Sequence, residues 1–201
     1  MQVSTETAPS LKTRKHVGTL EIRPARREDM GLVADFVRSS AHWYQPIVDA
    51  KDMGQHAVDE KWAETNFARR DFYIGRAQGQ AVGTISLQYF GSYAYLGYIY
   101  LNVEHVGKGY GQRLMRFAQS LAQKRGMQGM ALIGHPQAAW AKRAYLKYGF
   151  DIVASDKQDV LAWQDGVLKP YYEEDFELYL YRFAECADRQ PSTTLSEALH
   201  D

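Results

Sequence analysis

The stretch from Tyr95 to Arg116, YLGYIYLNVEHVGKGYGQRLMR, constrains the fold more than any other part of the chain. Its first half has a period of two, with Gly97, Ile99, Leu101 and Val103 on one face and Leu96, Tyr98, Tyr100 and Asn102 on the other. That alternation predicts a β-strand, and two largely apolar faces predict a central strand covered on both sides. Gly107, Gly109 and Gly111 then alternate with Lys108 and Tyr110 just before an amphipathic run that begins a helix. A backbone without Cβ atoms can lie close to a ligand where the first helical N–H groups lack helical acceptors. Those donors and the helix dipole attract phosphate, each exposed charge contact being worth about 0.3–1 kcal/mol. The stretch therefore predicts a diphosphate cradle; the plainer alternative is a glycine-rich turn with no ligand.

Spacing separates the families that place glycines at such a junction. A P-loop needs Gly-x-x-x-x-Gly-Lys-Ser/Thr, which the chain lacks. A dinucleotide fingerprint needs its last two glycines three apart, whereas Gly109 and Gly111 are two apart, and the following strand ends in Gly134-His135. What remains is Gln/Arg-x-x-Gly-x-Gly/Ala, filled by Val106-Gly107-Lys108-Gly109-Tyr110-Gly111. Here the chain resembles the GNAT superfamily of acyl-CoA-dependent N-acyltransferases. Val106 departs from the usual Arg or Gln and offers only its main chain. The resemblance implies that Val106, Gly107, Lys108, Gly109, Gly111 and Gln112 hold the diphosphate of acetyl-CoA, and that Leu101 and Val103 pair with its pantetheine arm as an added strand.

A second motif follows about 35 residues on. Ala138 to Phe150, AAWAKRAYLKYGF, resembles the family's Asn-x-x-Ala-x-x-x-Tyr-x-x-x-Gly-Phe, with Ala141, Tyr145, Gly149 and Phe150 in place and Ala138 replacing the Asn. The resemblance makes Tyr145 the group that faces the departing CoA sulfur. An ordinary tyrosine, pKa about 10, is a weaker acid than an alkyl thiol near 8.5, so full proton transfer is uphill by roughly 2 kcal/mol. Hydrogen-bond donation in the transition state is the sounder role. The alternative for Tyr145 is packing between helix and sheet.

The acceptor amine must lose its proton before attack; a lysine-like amine of pKa about 10.4 is neutral only about once in a few thousand molecules at pH 7. Glu104 and His135, at the ends of the two strands expected to splay around the thioester, are the candidate bases. The resemblance puts Trp43, Tyr44 and Trp62 near the acceptor site, with Tyr98 and Tyr100 able to orient a water. The acidic-aromatic run Tyr171 to Asp175 supplies Tyr172 and Glu173, whose types suit a cationic amine. Each of these residues has an ordinary alternative as core, rim or solvated loop.

The coarse element order is strand, two helices, three strands, helix, strand, helix, two strands: the second helical region runs from about Asp49 to Phe67, Gln78-Gly79-Gln80 is a tight turn, Gly126 and Gly149 stop helices, Pro136 can open the helix after the fifth strand, and Ser155 to Lys169 is a polar loop. This is an α+β layered domain with a mixed, mostly antiparallel sheet of six to seven strands flanked by helices, which is also the order in the GNAT fold. Residues 1–17 read as a disordered leader, 18–184 as the acetyltransferase domain, and 185–201 as a polar tail. Twenty-four basic residues cancel 24 acidic ones, so charge makes no case for nucleic acid or an anionic membrane. No apolar run reaches the length of a membrane span, and a cytoplasmic location is the default. Cys186 is the only cysteine, and no His/Cys cluster has metal-ligand spacing.

These features lead to an N-acetyltransferase that moves acetyl from acetyl-CoA to a primary amine of a small molecule or peptide by direct attack. The alternative is an acyl-CoA-binding regulatory module with little turnover. The acceptor, the acyl length and the oligomeric state stay open, a homodimer among the options.

Overall fold

A computed structural model describes residues 19–47, 58–172 and 175–184. The expected leader and tail, Glu173 and the first part of the helical region expected from Asp49 lie outside the described residues. β1 (Leu20–Pro24), β2 (Asp71–Ala77), β3 (Gln80–Phe90) and β4 (Tyr93–Leu101) form an antiparallel run in chain order. Gln78 and Gly79, at φ 51° and 77°, turn β2 tightly into β3 as a two-residue hairpin requires.

After β4 the chain crosses over through α3 (Tyr110–Lys124) to β5 (Gly129–Gly134), the strand parallel to β4. α4 (Ala139–Tyr148) leads to β6 (Asp151–Ala154) at the sheet edge, and β7 (Glu177–Arg182) lies between β6 and β5. The seven strands thus run β1-β2-β3-β4-β5-β7-β6. This is the mixed, mostly antiparallel sheet that the sequence predicts.

Amphipathic helices cover both faces because both faces of the central strands are apolar. Leu114, Met115, Ala118 and Ala122 of α3 pack with Ile85, Leu96, Met130 and Leu132 of the sheet. On the opposite face α1 (Met30–Tyr44) sets Met30 and Val33 against Phe72 and Ile74, with Trp62 of α2 (Glu60–Arg69) beside them. Among the described residues no helix is long and apolar enough to cross a membrane.

The structure corrects four expectations. β4 ends at Leu101, because the Asn102 side chain accepts from the Glu104 N–H at 3.1 Å and starts a 3-10 turn over Val103–His105. The alternation along β4 also fails: Ser86 pairs with Gly97 and Thr84 with Tyr100, so three steps on β4 face two on β3. This β-bulge, with Tyr98 at φ 47°, puts Leu96 on the same face as Ile99 and leaves Tyr98 and Tyr100 facing α1 and α2. α4 opens at Ala139 and not at Pro136, which lies in a turn. The expected loop after Ser155 contains α5 (Lys157–Ala162), capped by Asp156, and buries Val160 and Leu168 completely against β5 and β7.

Leu114, fully buried, fixes α3 to the sheet. Leu114→Ala is expected to cost about 2–5 kcal/mol, read as a lower urea midpoint at unchanged slope. An unmoved midpoint would show that α3 is not part of the core.

Candidate active site

β4 pairs with β3 as far as Leu101, but its pairing with β5 stops after Tyr93, Ala94 and Tyr95. The two strands then part. The edge of β4 beyond Tyr95 has no strand partner on the β5 side among the described residues, and a cleft of about 380 Å³ opens between them. Gly97, Tyr98 and Tyr100 line it from β4; Gly134 from the end of β5 and His135 just after it; Ala138, Ala141 and Tyr145 from α4 and its cap.

The glycine loop lies at the end of β4. Gly107 and Gly109 have φ of 79° and 83°, a region side chains disfavour, and a Cβ built on either meets no atom within 4 Å. Gly109 is the N-cap of α3 and supplies no side chain to the first helical N–H groups. The loop is therefore an open, donor-rich helix start facing free space, which suits an anion. Val103, Val106 and Lys108 are exposed, and Lys108 Nζ lies 3.3 Å from His105 Nδ1. Gln112 Nε2 donates to the Ala144 carbonyl at 3.2 Å and joins α3 to α4, while Leu101 packs into the core beside Tyr110.

Tyr145 stands on the cleft wall. An added Cβ at Gly134 would lie 3.2 Å from its ring, so the glycine leaves the ring room. The ring meets Tyr179 edge-on at 5.3 Å. Burial first, with Tyr44, Tyr179 and Tyr95 nearby, pushes the Tyr145 hydroxyl well above the ordinary tyrosine range, so it keeps its proton at neutral pH.

His135 also lines the cleft; burial lowers its pKa and favours the neutral ring, partly opposed by the Asp175 carboxylate. The Gln137 N–H donates to His135 Nδ1 at 3.2 Å, which places the ring proton on Nε2. Glu104 is exposed on the 3-10 turn and does not line the cleft.

Of the aromatic candidates, Tyr44, Trp62, Tyr98 and Tyr100 line the cleft. Trp62 Nε1–H donates to the Tyr98 hydroxyl at 3.1 Å, bracing the bulge. Trp43 does not reach the lining; it packs edge-on against Trp140 at 5.6 Å. Tyr172 packs on Phe176 instead, and its neighbour Tyr171 takes the place on the wall. Sequence reasoning missed Arg70, which lines the cleft from the junction of α2 and β2. An arginine beside a second arginine at a helix end reads as solvated, and only the three-dimensional packing reveals otherwise.

The model of the acetyltransferase (GNAT) family matches residues 35–150, more than half of the chain. The chain belongs to the GNAT acetyltransferase family. Among solved structures, this GNAT chain is similar to the PaiA N-acetyltransferase of Thermoplasma acidophilum in complex with coenzyme A, at 20% identity and a TM-score of 0.67 over 82% of this chain and 99% of that one. It is similar to a GNAT acetyltransferase of Staphylococcus aureus at 15% identity, TM-score 0.64, over 82% and 99% of the two chains. An acetyltransferase of Salmonella typhimurium, solved with acetyl-CoA, matches at 17% identity and TM-score 0.57 over 87% and 99%. No curated protein matches the sequence. At these identities the likeness to solved structures is one of fold, which here is the GNAT fold.

Because burial raises the Tyr145 pKa, the difference in phenolate absorbance between the wild type and Tyr145→Phe is expected to stay flat through the ordinary tyrosine pKa of about 10 while the protein remains folded. A phenolate step at or below that pH, lost in the variant, would contradict this environment.

Proposed function

We propose that this GNAT protein is an N-acetyltransferase that transfers acetyl from acetyl-CoA to a primary amine of a small molecule or peptide. The observation that carries the reading is the parting of β4 from β5 beside an open glycine loop at the start of α3. A diphosphate at that loop meets main-chain donors, and a pantetheine arm laid along the free edge of β4 meets strand N–H and C=O groups as an added strand would. The thioester then lies in the cleft that Tyr145 lines.

In this reading the neutral amine nitrogen attacks the thioester carbonyl, the C–N bond forms, and the C–S bond breaks. The proton lost by nitrogen is balanced by the one gained by the sulfur, leaving an amide and free CoA thiol. Tyr145, held protonated, donates a hydrogen bond to the developing thiolate. His135 is the titratable candidate for relaying the amine proton, and does so only once Nδ1 releases the Gln137 N–H. Glu104, exposed and away from the cleft, takes no part. The diphosphate cradle loses little from Val106, since its donors belong to the main chain.

The test is release of CoA thiol from acetyl-CoA across amino acids, polyamines, aminoglycosides and lysine peptides. Turnover with any amine supports the enzyme, whereas tight CoA binding without turnover would favour a regulatory module. Tyr145→Phe is expected to lower turnover while leaving CoA affinity within a few-fold, and unchanged turnover would remove Tyr145 from the mechanism. Replacing Gly109 with Trp fills the open side of the loop and strains a backbone at φ 83°, so CoA binding by calorimetry should be lost. Retained affinity would count against the cradle.

A further inference from the structure

Arg70 is only 8% exposed, yet its Nε and Nη1 atoms are sealed from solvent without a hydrogen-bond partner, and it forms no ion pair among the described residues. A guanidinium keeps its charge throughout the physiological range, so a buried one without a counter-ion is strongly unfavourable. The surroundings nevertheless build a seat for it. The Tyr171, Tyr98 and Tyr95 rings stand 4.6, 5.0 and 5.9 Å from Cζ, faces that tolerate a cation without neutralising it. Gly97 leaves out the side chain that would collide: a Cβ there would come within 2.6 Å of Nη1.

Two more idle polar atoms lie on β3, behind the wall. Ser86, the pairing partner of Gly97, has a buried hydroxyl with no partner, and Gln88, the partner of Tyr95, has a buried carbonyl oxygen with none. Gln88 Nε2 donates to the Arg69 carbonyl at 3.1 Å and to the Tyr171 hydroxyl at 2.9 Å, tying the seat together. Among the described residues the charged or titratable side chains that line the cleft, besides the tyrosines, are Arg69, Arg70 and His135. Of the acidic run near Tyr172, Asp175 stands close enough to His135 to act on it electrostatically but does not itself line the cleft.

We propose that Arg70 binds the carboxylate of the acceptor, so that the amines this protein acetylates are amino carboxylates of the amino-acid class and not polycations. A carboxylate in the cleft supplies the missing counter-charge, accepting from the part of the guanidinium that faces the cleft while Nε and Nη1 stay behind it. The inference rests on the reading of the cleft as the acceptor site.

The experiment compares kcat/KM with acetyl-CoA for each common amino acid, β-alanine and 4-aminobutyrate against the amine left when its carboxylate is removed. The acetylated amino acid is expected to exceed its decarboxylated partner by about tenfold or more, because a buried polar group left unpaired penalises the wrong substrate. Arg70→Gln should collapse that ratio toward one through KM, with CoA affinity unchanged, and Arg70→Lys should restore part of it. A ratio of one in the wild type, a preference for the decarboxylated amines, or a ratio untouched in Arg70→Gln overturns the proposal while leaving the acetyltransferase intact. If no amine of either kind is acetylated, both readings fall. Thermal unfolding of the wild type with CoA needs no variant: N-acetyl amino acids should raise the melting temperature and the N-acetylated decarboxylated amines should not. Equal effects, or none from any N-acetyl amino acid, would overturn it.

Discussion

Everything distinctive in this structure depends on β4 and β5 pairing for three residues and then parting after Tyr95 and Ala131. Backbone donors and acceptors inside a protein need partners, and a strand edge left bare in the middle of a sheet is costly unless something else meets it. Here the bare edge belongs to the central strand, its far side still held by β3. The bulge at Tyr98 lies in the stretch of β4 beyond its last pair with β5, and the strained residue is held in place from outside: Trp62 bonds its hydroxyl, and Phe72 packs beside its ring at 5.5 Å. The crossover helix α3 follows β4 after the 3-10 turn and the glycine loop, so the chain passes directly from the free strand edge to the open helix start.

That arrangement divides the work between backbone and side chains. In the proposed reading the cofactor half of the site asks for main-chain geometry, so Val106 and Ala138 can stand where the family pattern has polar residues. Ala138 is buried to 1% exposure at the cap of α4 and supplies no side-chain hydrogen bond there. In the same reading the acceptor half is made of side chains: a ring of tyrosines and Trp62 around a cleft whose charged lining, among the described residues, is Arg69 and Arg70. Tyr145 stands between the halves, its hydroxyl kept neutral by burial.

Much of this was legible in the sequence. The period-two strands, the Gln78-Gly79 turn and the helix stops at Gly126 and Gly149, both at positive φ, appear where composition puts them. The glycine spacing and Tyr145 led to the family that the match over residues 35–150 establishes. The misses have physical causes. A one-residue bulge inverts the facing of every later side chain in a strand without altering its composition, so Leu96 was placed on the wrong side. α5 is too short for a helical period to emerge from a polar segment, and Pro136 is as suited to a turn as to a helix start. Arg70 was invisible because burial of a charge is a property of its neighbours: the tyrosines around it come from β4 and from the segment before β7, far apart in the chain.

The central claim is that coenzyme A lies along the free edge of β4 with its diphosphate on the N–H groups that open α3. Backbone amide shifts of the isotope-labelled protein, followed by NMR during titration with coenzyme A, test it most directly. The account predicts that the largest changes fall on Gly107 to Gln112 and on β4 from Gly97 to Leu101, while β1, β2 and β6 stay still. Large changes elsewhere with the glycine loop unmoved would contradict it.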